Sequence, residues 1–244
     1  MTQAAPPPTP FARRQREPEW MDEDDVDPAQ LRRSLTFIRR INALLGYTRA
    51  TLSHLERFSA GWKPGERIEV VDLATGSADV PLAIVRWARP RGFDVHVVGI
   101  DRHEKTVQAA REATAGEPRI RIVQADALNL PFAAGSFDYA VCSMFLHHLS
   151  DDDAAMVLRS MGNVARRGII AADLLRHRRA YAWISMFTLF ANPIVRHDAR
   201  VSVRQAFSKA EVLALRERAG LGFAEYHRHF GHRFVLAGER AALG

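Results

Sequence analysis

Apolar residues recur along this chain with two different periods. In residues 28–45, "PAQLRRSLTFIRRINALL", Leu31, Leu35, Ile38, Ile41 and Leu45 fall on one face at helical spacing. Asp27 as N-cap, Pro28 in the first turn, Gln30 at the capping-box position and Gly46 as terminator bound that helix. A second helix over 49–61 places Leu52, Leu55 and Phe58 on its apolar side and ends at Gly61. The pattern then alternates. "RIEVVDL" (67–73), "DVHVVGID" (94–101), "RIRIVQAD" (119–126), "SFDYAVCSM" (136–144) and "RGIIAADL" (167–174) read as strands, with helices over 79–92, 103–116 and 151–165. Short continuous apolar strands between helices predict a parallel sheet covered on both faces. After a helix over 208–220, "FAEYHRHF" and "HRFVLAGE" meet at a tight turn containing Gly231 and predict an antiparallel pair at the sheet edge. The expected fold class is α/β: a doubly wound, mostly parallel seven-stranded sheet, two N-terminal helices, and a helical insertion after strand five.

Composition narrows this picture. A chain of 244 residues, 47% hydrophobic, can bury one sizeable core. The expected organisation is a loose tail over 1–22, a helical cap over 23–62 and one main domain over 63–244, with 175–205 as the insertion. The net charge of +6 comes from arginines spread along the chain instead of gathered in one block, which makes the surplus only weak evidence for a nucleic-acid partner. The single cysteine, Cys142, lies in a predicted buried strand, so no intramolecular disulfide forms and a reducing cytoplasm is the natural compartment. The N-terminal stretch has prolines and charges but no unbroken apolar run of a signal peptide. In the insertion, "AYAWISMFTLFANPIV" is too short for a transmembrane segment and is broken at Asn192-Pro193. It reads either as a core or homodimer-interface helix, or as a wall over a lipophilic substrate that also touches a membrane surface.

In a doubly wound sheet the ligand sits beyond the C-terminal strand ends. The loops there begin at Asp72, Asp101, Asp126 and Ser143. Gly76 follows Asp72 in a turn otherwise made of Ala74, Thr75, Ser77 and Ala78, small residues that let a ligand approach the backbone. Dinucleotide sites use three glycines, G-x-G-x-x-G, where this chain has one glycine and an acid before it. A carboxylate there repels a pyrophosphate and attracts an ammonium or a sulfonium, which points to S-adenosylmethionine. These motifs, with Asp126-Ala127 after strand three and "LPFAAGSFDYAVCSMFLHHLSD", resemble the class I S-adenosylmethionine-dependent methyltransferases over about residues 68–174. Within them the chain is most similar to the small-molecule branch of ubiquinone and menaquinone biosynthesis methyltransferases. The resemblance implies a Rossmann-like fold in which the glycine loop holds the methionine part, Asp101 (beside Arg102) the ribose hydroxyls, and Asp126 with Ala127 the adenine edge; Ser143 closes the cofactor set. Alanines stand at 74 and 78 where the family carries more glycine, so ordinary backbone angles are expected at both.

A phenol or enol acceptor must lose a proton, and His147 and His148, just past strand four, are the candidate catalytic residues, one of them also able to cap the helix that begins at Asp151. His177, His197, Asp198 and Arg204 are weaker candidates. No acid ends strand four, and Asp151, Asp152 and Asp153 read as an acidic helix start, so no metal is expected. The expected function is methyl transfer to a hydroxyl or activated carbon of a lipophilic aromatic, quinone-like or polyketide-like molecule. An RNA methyltransferase and a non-catalytic cofactor- or partner-binding module are the alternatives.

Overall fold

The computed structural model describes residues 11–20, Arg33 and 46–241. Arg33 apart, the helix read over 28–45 lies outside the described residues.

Seven strands form one sheet: β1 (Arg67–Leu73), β2 (Asp94–Asp101), β3 (Ile120–Gln124), β4 (Phe137–Ser143), β5 (Ala165–Leu174), β6 (Glu225–His229) and β7 (Arg233–Glu239). Their spatial order is β3-β2-β1-β4-β5-β7-β6. The first five run parallel, and β7 lies antiparallel between β5 and β6. The order reverses between β1 and β4, so the loops that leave these two strands diverge to opposite faces and open a crevice.

The helices are α1 (Tyr47–Ser59), α2 (Asp79–Ala88), α3 (Glu104–Thr114), α4 (Asp151–Val164), α5 (Arg178–Phe187), α6 (Pro193–Gln205) and α7 (Lys209–Arg218). Alternation along each strand feeds two cores. Ile68, Val70, Tyr139 and Ile170 pack with Leu55 and Phe58 of α1, Ile84 of α2 and Val107 of α3. Val71, Leu73, Ala140 and Ile169 pack with Leu158 and Met161 of α4 and Val212 and Leu215 of α7. Both faces of the sheet's centre are covered, which is why the middles of β1, β2, β4 and β5 are largely apolar and buried.

Several boundaries move. α2 stops at Ala88 and passes into a 3-10 turn, Arg89–Arg91, because Pro90 has no N–H to continue the ladder. β5 begins at Ala165, directly after α4. The insertion is two helices, and Asn192 begins α6 by accepting from the Val195 amide at 2.9 Å, with Pro193 in the first turn.

Residues 11–20 correct the reading of 1–22 as one loose tail. Arg14 donates to the carbonyls of His147, Leu149 and Gln205 and pairs with Asp151, while Trp20 stacks on His197 at 4.0 Å. A guanidinium with three carbonyl acceptors is specific enough to order a segment whose composition alone reads as mobile.

Candidate functional site

At the end of β1 the chain turns sharply. The Thr75 amide donates to the Ile100 carbonyl at 2.8 Å, and its hydroxyl donates to Oδ2 of Asp72 at 2.7 Å. Asp72 is fully buried, and its Oδ1 has no hydrogen-bond partner among the described residues. Burial pushes its carboxyl up to about 7; the Thr75 hydrogen bond opposes this, and the charges of Asp101 and Asp79 add to it. Gly76, at φ 55, has open space where a Cβ would stand, and its amide donates to Oδ2 of Asp101 at 3.1 Å. Oδ1 of Asp101 accepts from the His103 amide at 3.1 Å. Burial raises the Asp101 carboxyl, and these two amides pull it back. Gly99 on β2 lets this loop close over the strand: a Cβ there would stand 2.8 Å from the Thr75 hydroxyl oxygen.

The alanines differ from the sequence expectation of ordinary backbone angles. Ala74 has φ 54 and Ala78 φ 60, both left-handed. The contacts of Thr75 with Ile100 and Asp72, and of Gly76 with Asp101, fix the path of the loop. The flanking alanines adopt glycine-like angles at a cost of about 1–2 kcal/mol each.

The remaining strand ends join the same crevice, a cavity of about 1790 Å³. Asp126 is exposed and accepts from the Leu128 amide at 2.9 Å, next to the buried Ala127. Ser143 is half-buried at the end of β4, and Ser77 and Arg102 also reach the cavity wall.

Past β4 the lining of the same cavity continues to His147 and His148. His147 is buried, and its Nδ1 lies 2.7 Å from Oδ1 of Asp173 on β5, while its amide donates to Oδ2 at 2.9 Å. Burial alone would raise Asp173. The charge and hydrogen bond of His147, with the Leu174 and His147 amides, outweigh it and hold this carboxyl below its ordinary value. Glu19, also buried, accepts from the Ser202 hydroxyl at 2.6 Å and stands 3.9 Å from His147 Nε2 and 3.9 Å from His148 Nδ1. The far wall is Trp183, Ile184 and Phe187 of α5, with Val195, Asp198 and Ser202 of α6. Across from it the Arg233 guanidinium lies over the Tyr47 ring at 3.4 Å.

Residues 70–168 match the family described as "Methyltransferase domain". The demethylmenaquinone methyltransferase of Staphylococcus carnosus (strain TM300) is 30% identical over 106 residues, 43% of this chain and 42% of that protein. A SAM-dependent methyltransferase structure from Aquifex aeolicus superposes with a TM-score of 0.60 at 18% identity, over 89% of this chain and 100% of that one. The magnesium protoporphyrin IX methyltransferase of Synechocystis PCC 6803, solved with bound SAH, gives a TM-score of 0.56 at 16% identity over 90% of each chain. Residues 70–168 make up a methyltransferase domain. The chain spans less than half the length of the curated relative it matches, and the two structural likenesses concern the fold.

In this methyltransferase domain the orphaned Oδ1 of Asp72, beside a loop left open at Gly76, fits a ligand that carries an ammonium and a sulfonium. Every residue singled out from the sequence for the cofactor lines one cavity, with His147 and His148. The weaker candidates have other partners. His177 caps α5 by accepting from the Arg179 amide, Arg204 pairs with Glu17, and Asp198 accepts from the Trp20 amide and the His197 ring. Neither His147 nor His148 caps α4: Ser150 does, accepting from the Asp153 amide at 3.0 Å. Sequence reasoning missed Glu19, Asp173 and Gly99. An acid inside the apolar run "IIAADL" was the one signal available for Asp173.

Proposed function

We propose that this protein transfers a methyl group from S-adenosylmethionine to a hydroxyl, or an activated carbon, of a lipophilic aromatic, quinone-like or polyketide-like small molecule. The observation that carries the reading is continuity: one cavity runs from the acidic strand ends of β1, β2 and β3 to the apolar wall of α5 and α6. In this reading Asp101 accepts from the ribose hydroxyls, Asp126 with Ala127 meets the adenine edge, and Ala74, Thr75, Gly76 and Ser77 cradle the methionine part. Asp72 offers its Oδ1 to the positive end of the cofactor.

When bound, S-adenosylmethionine supplies an electrophilic methyl on a sulfonium for in-line displacement. Ser143 and Met144 line the cavity at the end of β4, and residues of segment 175–205 that line it would enclose the acceptor and exclude water. His147 Nε2, with Nδ1–H held by Asp173, takes the acceptor's proton, and His148 lies beside it at a ring separation of 4.2 Å. The quinone-type name of the curated relative supports the acceptor class.

The test is a radiolabelled-methyl assay on purified protein with a panel of phenols, quinols and transfer RNA. Labelling of an aromatic small molecule is the expected result. Labelling of RNA alone overturns the acceptor class.

A further inference from the structure

We infer that Glu19, His147 and His148 form a binding site for a divalent transition cation on the acceptor side of the cavity. One ligand atom from each lies within 4.8 Å of the other two. With metal–ligand distances of about 2.1 Å, neighbouring ligands in a tetrahedral site stand roughly 3.4–3.6 Å apart, so the 3.9 Å separations of Glu19 from both rings need shifts of only a few tenths of an ångström.

The outer partners are those of a built site. Nδ1 of His147 faces Asp173 at 2.7 Å, which places the donated proton on Nδ1 and leaves the Nε2 lone pair aimed at Glu19 and His148. The Ser202 hydroxyl fixes the Glu19 carboxylate from α6. Two imidazoles and one carboxylate are a donor set for zinc and its neighbours, and three protein ligands leave a fourth position open. The absence of an acid at the end of β4, which argued against a metal from the sequence, is answered by a carboxylate from a segment far away along the chain.

The existence of the site is independent of the methyl-transfer reading, and its role rests on it. A hydroxyl oxygen of the acceptor in the open position gives up its proton to solvent more readily, because the cation stabilises the oxyanion. His147 Nε2 cannot hold a cation and take a proton at once, so in the metal-bound protein the cation takes over the activation of the hydroxyl, and His147 serves as the base of the proposed mechanism only in the metal-free protein.

The experiment uses the full chain stripped of metal with a chelator. Zinc chloride is titrated calorimetrically, and cobalt chloride is followed by visible absorption, into wild type, Glu19→Gln, His148→Gln and Asp173→Asn, with circular dichroism to verify folding. The expected result is one zinc per chain, a tetrahedral cobalt spectrum, at least tenfold weaker binding in each of the first two variants, and about 10–100-fold weaker binding in Asp173→Asn, whose side chain meets the ligand His147 and the Leu174 amide and would not itself bind the cation. No stoichiometric binding, or binding undiminished in Glu19→Gln and His148→Gln, overturns the site. Methyl transfer by stripped protein that binds no zinc overturns the site and leaves the proposed function standing. Zinc bound by all three ligands without any methyl transfer does the reverse.

Discussion

The Thr75 hydroxyl donates to Oδ2 of Asp72 at 2.7 Å, and Oδ1 of the same carboxylate is buried with no hydrogen-bond partner among the described residues. One hydrogen bond does not compensate the burial of a charge, so the carboxyl titrates near 7 instead of at 3.8. A pKa raised on folding means that the native state binds more protons between these values. Asp72 therefore contributes stability that is fully present below pH 4 and is lost as pH rises through about 7. The shift of about three units corresponds to about 4 kcal/mol. Asp72→Asn keeps an oxygen for Thr75 and carries no charge at any pH. Denaturant unfolding of the ligand-free protein at pH 5 and pH 8 should find Asp72→Asn gaining on wild type at the higher pH. An equal difference at both pH values refutes the account.

Asp101 holds the loop and the candidate cofactor site at once, through the amides of Gly76 and His103. Asp101→Asn retains an acceptor for one amide but loses the charge-assisted bond expected from a ribose. Such bonds contribute about 1.5–3 kcal/mol, so affinity for S-adenosylhomocysteine should fall about 10–100-fold. Calorimetric titration of both proteins reads this directly, and unchanged affinity removes Asp101 from the cofactor site.

What the sequence shows plainly is what sits close together along the chain. β1 and β2 have the expected bounds because the centres of strands covered on both faces are largely apolar, and each run meets an acid at or next to its last residue, Asp72 in β1 and Asp101 in β2. The acids at those strand ends are legible for the same reason. Glu19 and Asp173 are not: one lies in a proline-bearing segment that orders through Arg14 and Ser202, and the other looks like a stray polar residue in an apolar strand. Their meaning arises only when both reach His147 in space. The backbone at Ala74 and Ala78 escapes for a different reason, since tertiary hydrogen bonds here override a local preference.

That override is measurable. Ala74 is half-buried at φ 54, and glycine adopts this angle without steric cost. Relief of about 1–2 kcal/mol of left-handed strain is offset by about 0.4–1 kcal/mol of extra freedom in the unfolded chain. Ala74→Gly should thus stabilise by roughly 0.5–1 kcal/mol, seen as a higher thermal midpoint. Destabilisation would mean that the loop does not hold residue 74 in the left-handed region. Ala78 is a poorer test, because its methyl is fully buried and its loss opens a void.

Gly99 is the hidden support of the Asp72–Thr75 contact. A Cβ at 99 would lie 2.8 Å from the Thr75 hydroxyl oxygen, 3.1 Å from its Cβ and 3.0 Å from a terminal carbon of Ile122. Gly99→Ala must push Thr75 away from Asp72, at a cost of about 1–3 kcal/mol for overpacking. It also removes the one side-chain hydrogen bond that lowers the Asp72 pKa, so the pH at which stability falls should move upward. Thr75→Ala loses that bond without the clash. Removing the Thr75 hydroxyl takes away the atom nearest the new methyl, so the double variant should be less destabilised than the sum of the single changes. Unfolding free energies of the four proteins close this cycle. Additive losses would place the strain at Ile122 and leave the hydrogen bond at Asp72 intact.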